Sequence, residues 1–351
     1  MPSPARVAVA GVGNNVSALA QGIRYYADLG AQGVPEHAFP GVRRPRIGGL
    51  AVHDVDLVAA YDVQPEKVGR DLADAIFQAP NNYPRLDVEV PRGVVVEPGI
   101  ATEEEAREGI GRITESLRAS AAEVFLYSLP TGMQWAASAY AEAALAAGAA
   151  FVNCTPETVG RDQEMLGRYV SAGAPLLGDD LASHFGTSIL HRAILALFAE
   201  RGITLESSYQ LNLGGNEDFR NLRERGSSKR ESKLNALAQE GVPLDKVDVV
   251  PSAGYVPLLH DNKVAYVNVE GVGWAATPVS LDLKLRVQDS SNAAGVIIDL
   301  VRIAAAARRT GDKGFITAAA ALLKSPPGGH SVYTGQEIFA SFHALARTGT
   351  A

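Results

Sequence analysis

At 351 residues, with 46% apolar and 20% charged side chains, the chain has the balance of a folded globular protein and the length of one large or two ordinary domains. A formal net charge of −7 argues against a broad nucleic-acid or anionic-membrane surface, so any bound anion is expected in a local basic pocket. The single cysteine, Cys154, excludes an intramolecular disulfide and a multi-cysteine zinc site. Pro2-Ser3-Pro4 runs into an apolar strand without a basic-then-apolar leader. No run reaches the roughly 18 apolar residues of a membrane span. A cytoplasmic protein without membrane contact is expected.

Residues 7–10 form an apolar strand that ends in the turn Gly11-Val12-Gly13-Asn14-Asn15, and a helix is expected to about residue 26. The stretch 30–53 is rich in glycine and proline and carries Arg43-Arg44-Pro45-Arg46. It reads as a solvated connector in preference to a phosphate-binding lid. Residues 57–61 are the next strand, closed by Asp62, with a helix expected to start near Pro65, a favoured first-turn residue. Further strands are expected at 94–96, 124–127, 151–153 and 175–177, most of them separated by helical stretches. Continuous apolar strands alternating with helices predict an α/β fold: a Rossmann-like, doubly wound parallel sheet over residues 1–190.

From residue 203 the pattern changes. Strands are expected at 208–211 and 265–269, and residues 280–287 alternate Leu281, Leu283, Leu285, Val287, the period of a half-buried strand. A second, α+β domain is therefore expected over 200–288. Alanine-rich helices near 294–308 and 317–323 are expected to return residues 289–351 to the first domain. His184 and His191 lie seven apart on an expected helix and read as structural.

Gly11-x-Gly13 between a strand and a helix is the context that a dinucleotide turn requires. Gly11 allows the tight turn, and Gly13 lets the backbone approach a pyrophosphate at the helix N-terminus. Val16 stands where a third glycine is usual, and Asn14 and Asn15 could donate to phosphate oxygens. Asp62 could accept the ribose hydroxyls, although the insertion puts it well beyond the usual spacing of ~20 residues. These residues predict NAD.

Lys229 and Lys233 lie four apart in Ser228-Lys229-Arg230-Glu231-Ser232-Lys233 and share a face if the segment is helical. Two such cations repel unless an anion lies between them. Gly214 and Gly215 permit close backbone approach, and Asn212, Asn216 and Asp218 supply polar groups nearby. Lys263 precedes a strand, and Lys324 sits at a helix end before Pro326 and Pro327. A lysine among apolar neighbours can transfer protons, or hold a phosphate or developing alkoxide as a fixed cation. Asp289, before a helix beginning near Ala293, could orient a lysine or a bound cation, or belong to a helix cap.

These motifs together resemble the myo-inositol-1-phosphate synthases in their shorter bacterial and archaeal form. The resemblance runs from Gly11-Val12-Gly13-Asn14-Asn15 through Tyr61-Asp62-Val63, Asn81-Asn82, Leu129-Pro130 and Gly178-Asp179-Asp180. It continues through Leu211-Asn212-Leu213-Gly214-Gly215-Asn216, the Ser-Lys segment, Asp289-Ser290 and Leu323-Lys324-Ser325-Pro326-Pro327. It implies tightly held NAD, a hexose 6-phosphate substrate, a homotetramer built through the second domain, and assistance from an ammonium or divalent cation. The implied reaction turns glucose 6-phosphate into 1L-myo-inositol 1-phosphate by oxidation at carbon 5, enolisation at carbon 6, an intramolecular aldol step and re-reduction.

By position, Lys229, Lys233, Lys263, Lys324 and Asp289 match the family's catalytic residues. Asp71, Ser120, Tyr140, Ser183, Asp218 and Lys229 align with residues lining its cofactor site, Ser120 least well because alanine is usual there. Asn212, Gly215, Asn216, Ser228 and Ser232 are expected around the substrate. The chain departs from the usual form at Thr131-Gly132-Met133, at Cys154-Thr155-Pro156-Glu157-Thr158 (usually Ala-Leu-Pro-Val-Phe), at Ala182 and at Gln288. Intact lysines beside an altered wall also suit a paralogue that closes a five-membered ring from fructose 6-phosphate. A simple dehydrogenase or a non-catalytic NAD-binding protein would leave the lysines unexplained.

Overall fold

The computed structural model describes residues 2–225, 227–238, 243–328 and 335–347. Twelve strands lie among them: β1 (Ala5–Ala10), β2 (Arg46–Ile47), β3 (Leu50–Ala51), β4 (Val55–Asp62), β5 (Val96–Pro98), β6 (Val124–Tyr127), β7 (Ala150–Asn153), β8 (Leu176–Leu177), β9 (Thr204–Gly214), β10 (Val247–Tyr255), β11 (Asn262–Val272) and β12 (Pro278–Gln288). The helices are α1 (Asn14–Ala31), α2 (Leu72–Ala75), α3 (Ala106–Ala119), α4 (Gln134–Ala147), α5 (Gln163–Ala172), α6 (Thr187–Glu200), α7 (Glu217–Arg225), α8 (Ser227–Ala238), α9 (Asp289–Thr310) and α10 (Gly335–Arg347).

The first sheet has the order β5-β4-β1-β6-β7-β8, and every pairing in it is parallel. Its central strands are apolar because helices cover both faces. Val7, Val9, Leu126 and Val152 pack on one side and Ala8, Phe125, Tyr127 and Phe151 on the other. Each buried valine or leucine of this kind contributes about 1.5–3 kcal/mol. The chain leaves β1 toward β4 on one side, and β6 lies on the other. That reversal opens a crevice at the carboxyl ends of β1, β4 and β6, where α/β sheets bind ligands.

The second sheet has the order β10-β9-β11-β12, with β10 parallel to β9 and the other pairs antiparallel. Along β12, Leu283, Leu285 and Val287 are half-buried while Lys284 and Arg286 are exposed, the expected alternation, but Leu281, expected in the same stripe, is exposed. Helix α9 then carries the chain back against the first sheet, where its alanine-rich surface permits close packing. Among the described residues it is one helix long and apolar enough to cross a membrane, but most of it is buried in the core.

Several expectations are corrected. Residues 63–70 form turns instead of a helix beginning at Pro65, and the helix that follows is only the four-residue α2. His184 lies in the loop before α6, whereas His191 is within the helix. Helix α9 starts at Asp289, so Gln288 holds the N-cap position and makes no side-chain cap. Strand β10 went unread because its Pro251-Ser252-Ala253-Gly254 half looks like a turn; a register shift there absorbs the irregularity. The 30–53 segment is not merely solvated. Buried Arg302 on α9 donates to the carbonyls of Arg44, Pro45 and Leu50 and pairs with Asp299, and the Arg44 guanidinium lies 3.6 Å from the centre of the Phe342 ring.

Candidate active site

At one end of the crevice the site is built mainly from backbone. Gly11 has φ +91°, and a Cβ there would stand 2.5 Å from the Ser128 carbonyl oxygen, so the turn presses on the chain leaving β6. Helix α1 follows Gly13 without a side-chain cap, which leaves its first N–H groups free to face an anion. Asp62 is buried, and its carboxylate accepts the N–H of Val12 at 2.7 Å and of Gln64 at 2.9 Å. Behind the turn, Lys67 donates to the Val12 carbonyl at 2.8 Å and to Asn81 at 2.9 Å, and lies 3.8 Å from Asp62. Burial lowers the pKa of this lysine, which the sequence reading missed.

At the other end the site is built from side chains. Lys324 donates to Asp180 at 2.9 Å, and the Ser232 hydroxyl donates to the same carboxylate oxygen at 2.7 Å. Lys263 donates to Asp289 at 3.3 Å, and Asn216 reaches the other Asp289 oxygen, also at 3.3 Å. Lys233 is buried on α8 and lines the same crevice as Lys263, Lys324 and Asp289. Lysines from α8, β11 and the segment after the 3-10 turn at 317–322 thus meet although distant in sequence. The side chains of Ser228 and Lys229 lie outside the described residues; their backbone is helical, so the expected register of 229 and 233 is present in α8.

A second helix N-terminus also opens here. Ser183, Gly186, Thr187 and Ser188 line the crevice, and α6 starts after Gly186 without a side-chain cap. The Gly-Thr-Ser run before an apolar helix was its signal in the sequence. Asp261 is the other residue the reading passed over. It receives the Ser290 hydroxyl at 2.6 Å, the Ser290 N–H at 3.1 Å and the Asn14 amide at 3.0 Å. Burial, assisted by the charge of Asp289, pushes its carboxyl up to about 6.

Of the residues expected to hold a cofactor, Gly11, Gly13, Asn14, Asn15, Asp62, Ser183 and Asp218 line the crevice. Asn14 is nevertheless committed elsewhere. Its amide donates to Asn82 and Asp261, and its carbonyl accepts the N–H groups of Asn82 and Tyr83, so it clamps the glycine turn to the second sheet. Asn15 donates to the Ser128 hydroxyl at 3.2 Å.

Asp71, Ser120 and Tyr140 are not among the lining residues. Asp71 caps α2 and accepts the Gly93 N–H. Ser120 ends α3 ahead of β6, and its carbonyl is held by Arg6 near the start of β1, at the amino ends of the strands and so opposite the crevice. Tyr140 is fully buried among Phe125 and Tyr127, and its hydroxyl accepts the Ile100 N–H.

Among the residues expected around the substrate, Asn216 lines the crevice and Ser232 supports it through Asp180. Asn212 is spent on Thr187, Gln210 and the Val250 carbonyl. Gly215 makes its close approach to protein, since a Cβ there would meet His260 N and the Val256 carbonyl oxygen at 2.6 Å. His191 is bonded to Ser208, and burial holds it down to about 4, a neutral core histidine. Among the described residues no group of three or more His, Cys, Asp or Glu is arranged to hold a metal ion.

Comparison with known proteins gives this arrangement a context. Residues 186–290 match the family described as myo-inositol-1-phosphate synthase. The chain is 39% identical over 346 residues to the inositol-3-phosphate synthase of Mycolicibacterium smegmatis, covering 92% of this chain and 93% of that one. It is also similar to the crystal structure of Ari2, with 59% identity, a TM-score of 0.90, and coverage of 99% of this chain and 100% of that chain. A myo-inositol-1-phosphate synthase-related protein from Thermotoga maritima shares the fold, with a TM-score of 0.79 at 20% identity over 99% of this chain and 98% of that one. The chain belongs to the myo-inositol-1-phosphate synthase family.

Proposed function

We propose that the chain is an NAD-dependent carbocyclase that closes a ring from a hexose 6-phosphate without net oxidation. One observation carries this reading. A single crevice is lined at one end by the glycine turn and Asp62, and at the other by Lys233, Lys263 and Lys324 with Asp289. The residues present fit NAD: Gly11 permits the tight turn, Gly13 leaves open space for close approach, the uncapped start of α1 suits its pyrophosphate, and Asp62 suits its ribose. When bound, NAD supplies hydride removal and return at one sugar carbon.

The protein's own groups supply the rest. The uncapped N-terminus of α6 and nearby Lys233 suit the substrate phosphate. Lys229 is assigned proton transfer at the carbon 5 oxygen, Lys233 and Lys263 the phosphate or enolate, and Lys324 the alkoxide that develops as the ring closes. Asp180 and Asp289 hold Lys324 and Lys263 in place, which a preorganised oxyanion-stabilising cation requires. The substrate we assign is glucose 6-phosphate and the product 1L-myo-inositol 1-phosphate, supported by the names of the relatives at 38–39% identity.

A second reading, a five-membered ring closed from fructose 6-phosphate, is favoured by a particular observation. Thr131, Cys154 and Thr155, where the chain departs from the usual family sequence, all line the crevice. The identity of 59% with Ari2 against 39% with the named synthases fits a group with a substrate of its own.

We further infer assembly through the second sheet, where Tyr209, Tyr266, Leu281 and Trp274 are exposed. A homotetramer in the cytoplasm is the expected form. Phosphorus NMR on protein offered glucose 6-phosphate and fructose 6-phosphate separately tests the function. The account expects a cyclic phosphate without net NADH. Reaction of the ketose alone would replace the first reading with the second. Accumulating NADH would indicate a simple dehydrogenase, and no turnover with any hexose phosphate a non-catalytic protein.

A further inference from the structure

Glu157 is a buried carboxylate in the loop after β7, only 4% exposed. One oxygen accepts the Gly132 N–H at 2.6 Å, in the turn after β6. The other oxygen is buried and makes no hydrogen bond among the described residues. Glu157 does not line the crevice, but Thr131, next to the N–H it holds, does. Thr131 is itself buried, and its hydroxyl donates to Asp218 on α7 at 3.4 Å. Glu157 thus stands behind a wall residue that touches the second sheet's helix.

The loop that carries Glu157 is tied down by hydrogen bonds. Asp179 accepts the N–H groups of Val159, Gly160 and Arg161 and the amide of Asn153, while Gln134 and Thr158 exchange two hydrogen bonds across the two loops. A buried carboxylate with one neutral donor destabilises a fold compared with an apolar side chain of similar size. Stability alone therefore does not account for a glutamate here. A need to fix the Gly132 N–H, and with it Thr131, does.

We propose that Glu157 is a positioning residue that sets the hexose phosphate selectivity of the crevice by holding Thr131 against Asp218. The inference rests on the carbocyclase reading and deepens it: the discriminating wall is the 130–133 turn, and its alignment is determined from behind.

Calorimetric titration of NAD-loaded protein with glucose 6-phosphate and with fructose 6-phosphate tests it. Glu157→Ala leaves the Gly132 N–H unsatisfied and should weaken binding of the preferred sugar about tenfold, changing the ratio of the two affinities. Glu157→Gln keeps an oxygen acceptor and should restore the ratio to within about twofold of the parent. Thr131→Val should repeat the change in ratio without disturbing the buried carboxylate, and decides the matter if Glu157→Ala does not fold. An unchanged ratio in Thr131→Val, or a Glu157→Gln variant as impaired as Glu157→Ala, overturns the inference while leaving the carbocyclase intact. A parent protein that binds neither sugar overturns the carbocyclase reading and this inference with it.

Discussion

The two ends of the crevice are made of different materials. At the glycine turn the recognising groups belong mainly to the backbone, the N–H groups at the start of α1, joined by one side-chain carboxylate, Asp62, already fastened to the Val12 N–H. At the lysine end they are flexible ammonium groups, and two are held by carboxylates from elsewhere in the chain, Lys324 by Asp180 and Lys263 by Asp289. A backbone site depends on shape, and at Gly11 an added Cβ would meet the Ser128 carbonyl. A side-chain site depends on charge and fails when a partner is removed. Substitutions at the two ends should therefore fail in different ways.

The largest effect is expected at the lysine end. Lys324→Ala removes the cation assigned to the ring-closing alkoxide and should lower turnover at least about 100-fold, beside a stability cost of about 3 kcal/mol for breaking the buried pair with Asp180. Product formation followed by phosphorus NMR checks this, and unaffected turnover would refute the role. Asp180→Asn removes the buried carboxylate charge 2.9 Å from the Lys324 ammonium and should cost about 3 kcal/mol of stability as well as activity. Denaturant unfolding measures the first part and turnover the second. At the backbone end, Gly11→Ala meets both a positive φ and the Ser128 carbonyl, and should cost about 1–3 kcal/mol, read as weakened NAD binding with the lysines untouched.

The last effect concerns acidity where the two ends meet. Asp261 is raised from 3.8 to about 6, so the folded chain holds this proton more tightly than the unfolded one. Its contribution to stability is full below about 3.8 and is lost as pH rises through about 6. The span amounts to about 3 kcal/mol at most, reduced by loss of the hydrogen bonds from Ser290 and Asn14 in any variant. Asp261→Asn should flatten the stability profile across that interval. A profile with the parent's slope would show that another group titrates there.

The same contrast explains what was legible in the sequence. The glycine turn and the strands of the first sheet are local patterns, and they stand where the residues suggested, except that β5 is Val96–Pro98 and not 94–96. The four lysines were visible as residue types, but the partner of Lys324 was not, because Asp180 lies 144 positions away and only the return of the chain after α9 brings them together. Asn14 looked like a phosphate ligand by position, whereas all its hydrogen-bonding capacity is taken by Asn82, Tyr83 and Asp261. Alignment also placed Tyr140 and Ser120 near a cofactor. An aligned position carries the identity of a residue but not the face it presents, and α4 turns Tyr140 into the core. The helix expected at Pro65 failed because its first-turn preference was read without the apolar periodicity that a helix on this sheet needs.

The central claim is that oxidation, ring closure and reduction occur in one crevice. Its most direct test offers the NAD-loaded protein a hexose 6-phosphate carrying deuterium at carbon 5 and reads the product by mass spectrometry while absorbance monitors NADH. The account predicts a cyclic phosphate that retains the deuterium, with no net NADH. Loss of the label from a cyclic product, or accumulation of labelled NADH beside an acyclic ketone, would contradict it.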